Sequence, residues 1–91
     1  MDTTLVERAR DGDRDAFASI AAESIDRLFA TARAVLRDAD RAQDATQEAL
    51  VRCWRDLPTL RDPDRFEAWL YRLLINACRT QFRSSRRHPV V

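Results

Sequence analysis

Apolar residues recur along this chain at helical spacing, and in its last long segment they recur on two sides of the same helix. At about 100° per residue, Phe66, Trp69, Leu70, Leu73, Leu74 and Ala77 share one flank, while Tyr71, Ile75, Cys78 and Phe82 share the other. A helix apolar on two sides is expected to be packed on two sides. Between the flanks runs a narrow polar strip of Arg65, Arg72, Asn76, Arg79 and Arg83. Such a ridge suits a polyanion, with arginines for phosphate and the Asn76 amide able to donate to and accept from a base edge. There is a simpler alternative. Arginines near a helix C-terminus offset the macrodipole, and their stems can cover apolar surface. That accounts for Arg79 and Arg83 more readily than for Arg65 and Arg72.

The remaining elements follow from caps and stripes. Thr4-Leu-Val-Glu7 reads as a capping box opening a short helix to about Arg10. Asp11-Gly12-Asp13 ends it, and Asp13 can cap a second helix running through Phe17 and Ile20 to about Glu23. Ser24 and Asp26 allow a break or bend before a third segment to about Arg37. Leu28, Ala32, Val35 and Leu36 form its core-facing stripe. Asp38-Ala-Asp40 opens a fourth helix to about Leu57, with Ala42, Ala45, Ala49, Leu50, Cys53, Trp54 and Leu57 on its apolar side. Pro58 stops it. Asp62-Pro63 then supplies an N-cap followed by a first-turn proline, and the fifth helix extends to about Ser84. No strand signal or repeat is present, so an all-α, compact bundle of four to five helices is expected over residues 1–84, with a basic tail at 85–91.

The fourth helix has a second face. Asp44, Gln47, Glu48, Val51 and Arg55 fall at i, i+3, i+4, i+7 and i+11. An apolar centre inside a polar rim is how a protein interface is laid out, although a solvated face with one exposed valine is equally ordinary. Leu60 stands beside Arg61 in a polar loop and either plugs the bundle or helps wall a small pocket. Phe66 and Trp69 read as core; base-stacking platforms are the alternative.

Composition changes this picture in two ways. The 16 basic residues are all arginine, and they are unevenly placed. Residues 1–64 carry ten arginines against fourteen acids, net −4, and residues 65–91 carry six against one, net +5. The asymmetry points to nucleic acid on one side and a different partner on the other. Catalysis finds little support: there is no Ser/His or Cys/His pairing, no glycine-rich phosphate loop and no metal-spaced cluster. Asp62 and Asp64 are explained by a helix start. Cys53 and Cys78 lie within helical patterns and read as buried reduced thiols. No cofactor or metal is expected. Nothing resembles a signal peptide, and no apolar run approaches a membrane span, so a cytoplasmic location is expected.

Three stretches carry a family resemblance: Gly12-Asp-Arg-Asp-Ala-Phe17, Asp44-Ala-Thr-Gln-Glu-Ala-Leu-Val-Arg-Cys-Trp-Arg55 and Phe66-Glu-Ala-Trp-Leu-Tyr-Arg-Leu-Leu-Ile-Asn76. In order and spacing the chain resembles region 2 of a bacterial RNA polymerase sigma factor of the sigma-70 family, extracytoplasmic-function (ECF) group. The resemblance implies that Asp44, Gln47, Glu48, Val51 and Arg55 dock on the clamp of the largest subunit of core RNA polymerase. It also implies that the fifth helix and its preceding loop bind the promoter −10 element, chiefly as non-template single strand. Asn76 would then lie where such factors read a base, Leu60 and Arg61 would belong to a loop that receives a flipped-out base, and Arg65, Arg72, Arg79 and Arg83 would hold phosphate. An anti-sigma protein is a further implied partner and supplies the alternative reading of a purely protein-binding module. Two departures stand out. Leu60 occupies a position where relatives often hold an aromatic, and Thr80 and Gln81 replace an acidic-basic pair. Such factors normally add a second helical domain that binds the −35 element; it has no counterpart in these 91 residues. Arg86-Arg87-His88-Pro89 looks like the start of an interdomain linker.

Overall fold

The computed structural model describes residues 1–87, which form four α-helices: α1 Thr3–Arg10, α2 Arg14–Leu36, α3 Ala39–Asp56 and α4 Phe66–Arg87. Two short 3-10 turns, Leu57–Thr59 and Pro63–Arg65, lie between α3 and α4. No strand occurs among the described residues. α3 packs against both α2 and α4, and α1 packs on α2 and on the two 3-10 turns. Ala32, Ala42, Ala45, Ala49 and Ala77 are completely buried. These small side chains let the helix axes approach closely, and Phe66, Ile20, Leu57, Leu70, Leu74 and Val6 supply the bulk of the core.

The helix starts follow the aspartates. Asp13 caps α2 by accepting from the Ala16 N–H at 3.1 Å, and Asp38 caps α3 from Asp40 and Arg41. Asp62 accepts from the Asp64 N–H at 3.0 Å, with Pro63 next to it. Gly12 adopts φ +102° in the α1–α2 turn, where a side chain would be strained. The Arg8 guanidinium closes the same turn: Nε and Nη2 both donate to Asp13 Oδ2, at 3.0 and 2.8 Å. The Ala16 N–H, then Arg8, hold the Asp13 carboxyl below the ordinary carboxylate range.

Several sequence expectations are corrected. α1 is capped by Asp2, which accepts from the Thr4 N–H at 2.8 Å; Thr4 lies inside the helix, and the Thr4–Glu7 capping box does not form. The second and third segments are one helix, unbroken at Ser24 and Asp26. Ala16, Ile20, Ser24, Leu28 and Ala32 are buried at strict i+4 spacing, so Ser24 sits in the core stripe, and that burial outweighs its weak preference for a break. Val35 is 40% exposed and faces away from the core. The last helix begins as α-helix only at Phe66, after the 3-10 turn Pro63–Arg65, and it continues past Ser84 to Arg87. The tail expected from residue 85 is therefore helical as far as residue 87, and His88 and Pro89 lie outside the described residues. The two flanks of α4 differ. Phe66, Leu70, Leu74 and Ala77 are buried, whereas Tyr71 is 53% and Phe82 48% exposed. Helices cover one flank; on the other, Cys78 is buried and Ile75 half-buried, and only Tyr71 and Phe82 stand open.

Candidate nucleic-acid and protein interfaces

α4 places Arg72, Asn76, Arg79 and Arg83 at i, i+4, i+7 and i+11, one face of a regular helix. All three arginines are exposed and Asn76 is half-buried, its side chain at the edge of the core. Arg65 belongs to the preceding 3-10 turn, and its Nε lies 3.6 Å from Asp62 Oδ2. Arg8, Arg27, Arg41, Arg52, Arg55 and Arg65 engage carboxylates. Among the described residues Arg72, Arg79 and Arg83 do not, so their charge is available to an external anion. Thr80 Oγ donates to the Asn76 backbone carbonyl at 3.1 Å, and among the described residues no hydrogen bond engages the Asn76 side-chain amide.

The loop ahead of α4 divides its two candidate residues. Leu60 is 8% exposed and lies in the core cluster: it plugs the bundle, and its side chain offers little surface to a ligand. Arg61 is exposed. Arg10, which periodicity did not single out, reaches this loop and donates from Nη1 to the Leu60 carbonyl at 3.3 Å.

On α3, Asp44, Gln47, Val51 and Arg55 are exposed and Glu48 is half-buried, with Val51 at 65%. Together with Arg52 and with Gln81 from α4 they border a concavity of about 420 Å³. Three of its four charges, Glu48, Arg52 and Arg55, are engaged within the protein. Arg52 Nη2 donates to Glu48 Oε1 at 2.8 Å. Arg55 grips Asp56 through Nε and Nη2 at 3.0 and 3.1 Å. That contact keeps the Asp56 carboxyl below, and the Arg55 guanidinium above, their ordinary ranges. Arg41 ties α3 to α4, donating from Nη1 to the Gln81 carbonyl at 2.8 Å.

Val51 also borders an apolar hollow of about 420 Å³ lined by Arg14, Phe17, Leu50 and Trp54. The Phe17 and Trp54 rings pack at a centroid distance of 5.0 Å, and Trp54 remains 37% exposed although its spacing placed it in the core stripe. The α3 face therefore extends sideways onto α2. The signal for this in sequence is slight: Trp54 lies near the border of the apolar stripe.

The two cysteines are buried and unpaired. Burial, with some help from the Asp56 charge, pushes the Cys53 thiol up to about 12, and burial also raises Cys78. Both are therefore neutral, unreactive thiols near neutral pH. No group of three or more metal-ligating side chains occurs among the described residues. No helix there is long and apolar enough to cross a membrane.

This arrangement, an open arginine strip beside an apolar-centred polar face, agrees with relationships carried by the sequence as a whole. The Sigma-70 region 2 family profile matches residues 21–88, and the chain belongs to that family. Its relatives set it within the ECF group. The RNA polymerase sigma-H factor of Pseudomonas aeruginosa is 33% identical over 89 residues, covering 98% of this chain and 46% of that protein. The ECF RNA polymerase sigma factor SigM of Mycobacterium tuberculosis is 32% identical over 78 residues, 86% of this chain and 40% of that protein. The ECF RNA polymerase sigma-E factor of Escherichia coli K12 is 28% identical over 88 residues, 97% of this chain and 46% of that protein. The chain thus spans less than half the length of these relatives. No solved structure matches it. As a member of a family of non-catalytic initiation factors, the chain is not an enzyme.

Proposed function

We propose that this domain serves transcription initiation by holding core RNA polymerase with α3 while α4 and its preceding loop capture the non-template strand of the −10 element. The observation that carries the reading is the exposed Arg72, Arg79 and Arg83 row, free of carboxylates among the described residues, with an uncommitted amide at Asn76 within it. Guanidinium contacts to phosphate fix register, and the Asn76 amide together with the loop that receives the unstacked base supplies base discrimination. Unstacking a base costs a few kcal/mol, which a fitting site recovers only for the correct base. Opening the duplex thus needs no chemistry from the protein, only preferential binding of the opened strand. Arg61, exposed in the loop, is suited to a phosphate beside the captured base. Leu60 supports the loop from within.

On the polymerase side, the partner is the clamp of the largest subunit. It would meet Asp44, Gln47, Glu48 and Arg55 around Val51, with the apolar surface continuing to Trp54 and Phe17. A role at promoter DNA implies a cytoplasmic location. A regulatory, anti-sigma protein is the second reading. It is favoured by the exposed Ile25 and Phe29, which the first reading leaves unused and which border a hollow of about 350 Å³ between α2 and α3 that reaches Gln47. The two readings are compatible, and salt-dependent single-strand binding separates them.

The direct test replaces Asn76 by Ala and measures binding of −10 single strands of varied sequence to the complex with core polymerase. Preference at one position is expected to fall by about 1–3 kcal/mol, the worth of one good base contact. Unchanged preference at every position would refute base reading by Asn76.

A further inference from the structure

We infer that α1 sets the shape of the loop ahead of α4, with Arg10 as its positioning residue. The inference rests on the strand-capture reading given above. α1 lies outside the segment matched by the family profile, which begins at residue 21. It nevertheless packs on both 3-10 turns that frame the loop.

The loop's other hydrogen bonds are local. Thr59 Oγ donates to the Asp56 carbonyl at 2.6 Å, the Leu60 N–H to the Leu57 carbonyl at 3.0 Å, and the Asp64 N–H to Asp62 Oδ1 at 3.0 Å. Among the described residues, the Arg10 contact is the one hydrogen bond reaching this loop from a distant part of the chain. Its acceptor is informative. Holding the Leu60 carbonyl fixes the peptide plane that joins Leu60 to Arg61. That plane sets the direction in which Arg61 leaves the loop. The Leu60 side chain anchors the same point from below, in the core cluster that also contains Val6 and Ala9 of α1. A second tie binds the chain start to α4: the Met1 ammonium lies 3.8 Å from Glu67 Oε1, which also receives Arg27 Nη2 at 3.2 Å. The first ten residues therefore contact both the loop and the first turn of the helix it leads into.

A loop that receives an unstacked base must be shaped beforehand, because ordering it during capture subtracts from affinity. Arg10 touches no proposed DNA contact with its own surface and acts through the Leu60–Arg61 backbone.

The test compares wild type with Arg10→Ala and Arg10→Lys in two measurements. The first is amide hydrogen exchange. In Arg10→Ala the Leu60 amide is expected to exchange about tenfold faster, in keeping with loss of one net hydrogen bond, while Leu74 and Ala77 in α4 keep their wild-type rates. The second is base preference of the polymerase complex on −10 single strands. Arg10→Ala is expected to flatten preference about fivefold at the loop-read position and to leave the Asn76-dependent preference intact. Arg10→Lys, whose ammonium can donate to the same carbonyl, is expected to restore part of both effects. Wild-type exchange at Leu60 in Arg10→Ala overturns the inference, because α1 then does not hold the loop. Faster exchange with unaltered base preference also overturns it and leaves Arg10 a purely structural role. A wild-type complex without base preference refutes strand capture itself, and a role for Arg10 in capture falls with it.

Discussion

Replacing Arg79 by Ala separates a phosphate contact from an arginine that serves only to cover apolar surface with its stem. Arg79 is exposed and, with Arg72 and Arg83, forms a row without ion pairs among the described residues. If all three contact phosphate, counterion release gives each a slope of about −0.7 in log K against log salt on a single strand, about −2 in total. Removing Arg79 should then flatten the slope by about 0.7. Relative to 1 M salt, that is about a fivefold loss of affinity at 0.1 M. The loss should be the same for every sequence, because phosphate contacts carry no base information. The assay is titration of a labelled single strand onto the polymerase complex at several salt concentrations, with thermal unfolding measured in parallel. Arg79→Lys should keep the slope. Arg8→Ala should also keep it, since that guanidinium is engaged by Asp13. An unchanged slope for Arg79→Ala would refute the phosphate role and leave an arginine whose stem covers apolar surface.

Val51→Glu is expected to leave stability within about 0.5 kcal/mol, as surface changes do, while weakening core polymerase binding by more than about tenfold, as for loss of an interface centre; equal binding would remove α3 from the interface. Ser24→Ala should stabilise the domain by about 1–3 kcal/mol, because Ser24 Oγ is buried without a partner among the described residues and its removal ends a desolvation cost; Tm should rise by at least about 4 °C, and a lowered Tm would show that the hydroxyl is satisfied. For Cys53, the folded thiol ionises near 12 against an ordinary 9.0. Between those values the unfolded chain has released a proton that the folded state keeps, so stability falls as pH rises, by about 1.4 kcal/mol per unit. Urea midpoints from pH 8 to 11 should decline less steeply in Cys53→Ala, and parallel declines would contradict the assigned shift.

Helix starts were legible because aspartate side chains make them: Asp13, Asp38 and Asp62 each accept from backbone N–H groups where the pattern put a cap. Asp2 was overlooked because Thr4 and Glu7 offered a competing motif two residues on. The continuity of α2 is hidden in the sequence by Ser24, whose side chain has a weak local preference for a break. Five buried positions at i+4 spacing decide that stretch, and a serine costs a helix only a few tenths of a kcal/mol. Periodicity also says which residues share a face without saying whether a neighbour covers it. That is why Tyr71 and Phe82 were expected to pack and stand half-exposed.

The α4 strip is readable because its spacing is regular from Arg72 to Arg83, while Arg65 lies in the 3-10 turn that precedes the helix. Contacts between distant segments were not readable. Arg10 meets Leu60 across fifty positions, and no periodicity links them. On α3 the sequence overstated the available charge. Glu48 and Arg52 are four apart, a pairing spacing suggests, but neighbouring residues on a helix do not ordinarily face each other. The Arg55–Asp56 grip forms at the end of α3, where the chain passes into a 3-10 turn. With both pairs closed, Asp44 is the residue of the proposed face left without an ion pair among the described residues, beside the amide of Gln47 and the exposed Val51 and Trp54. A partner there meets little free charge and a substantial apolar centre. Its affinity should depend on burying Val51 and Trp54 and only weakly on salt, the opposite of what the arginine strip on α4 requires of DNA.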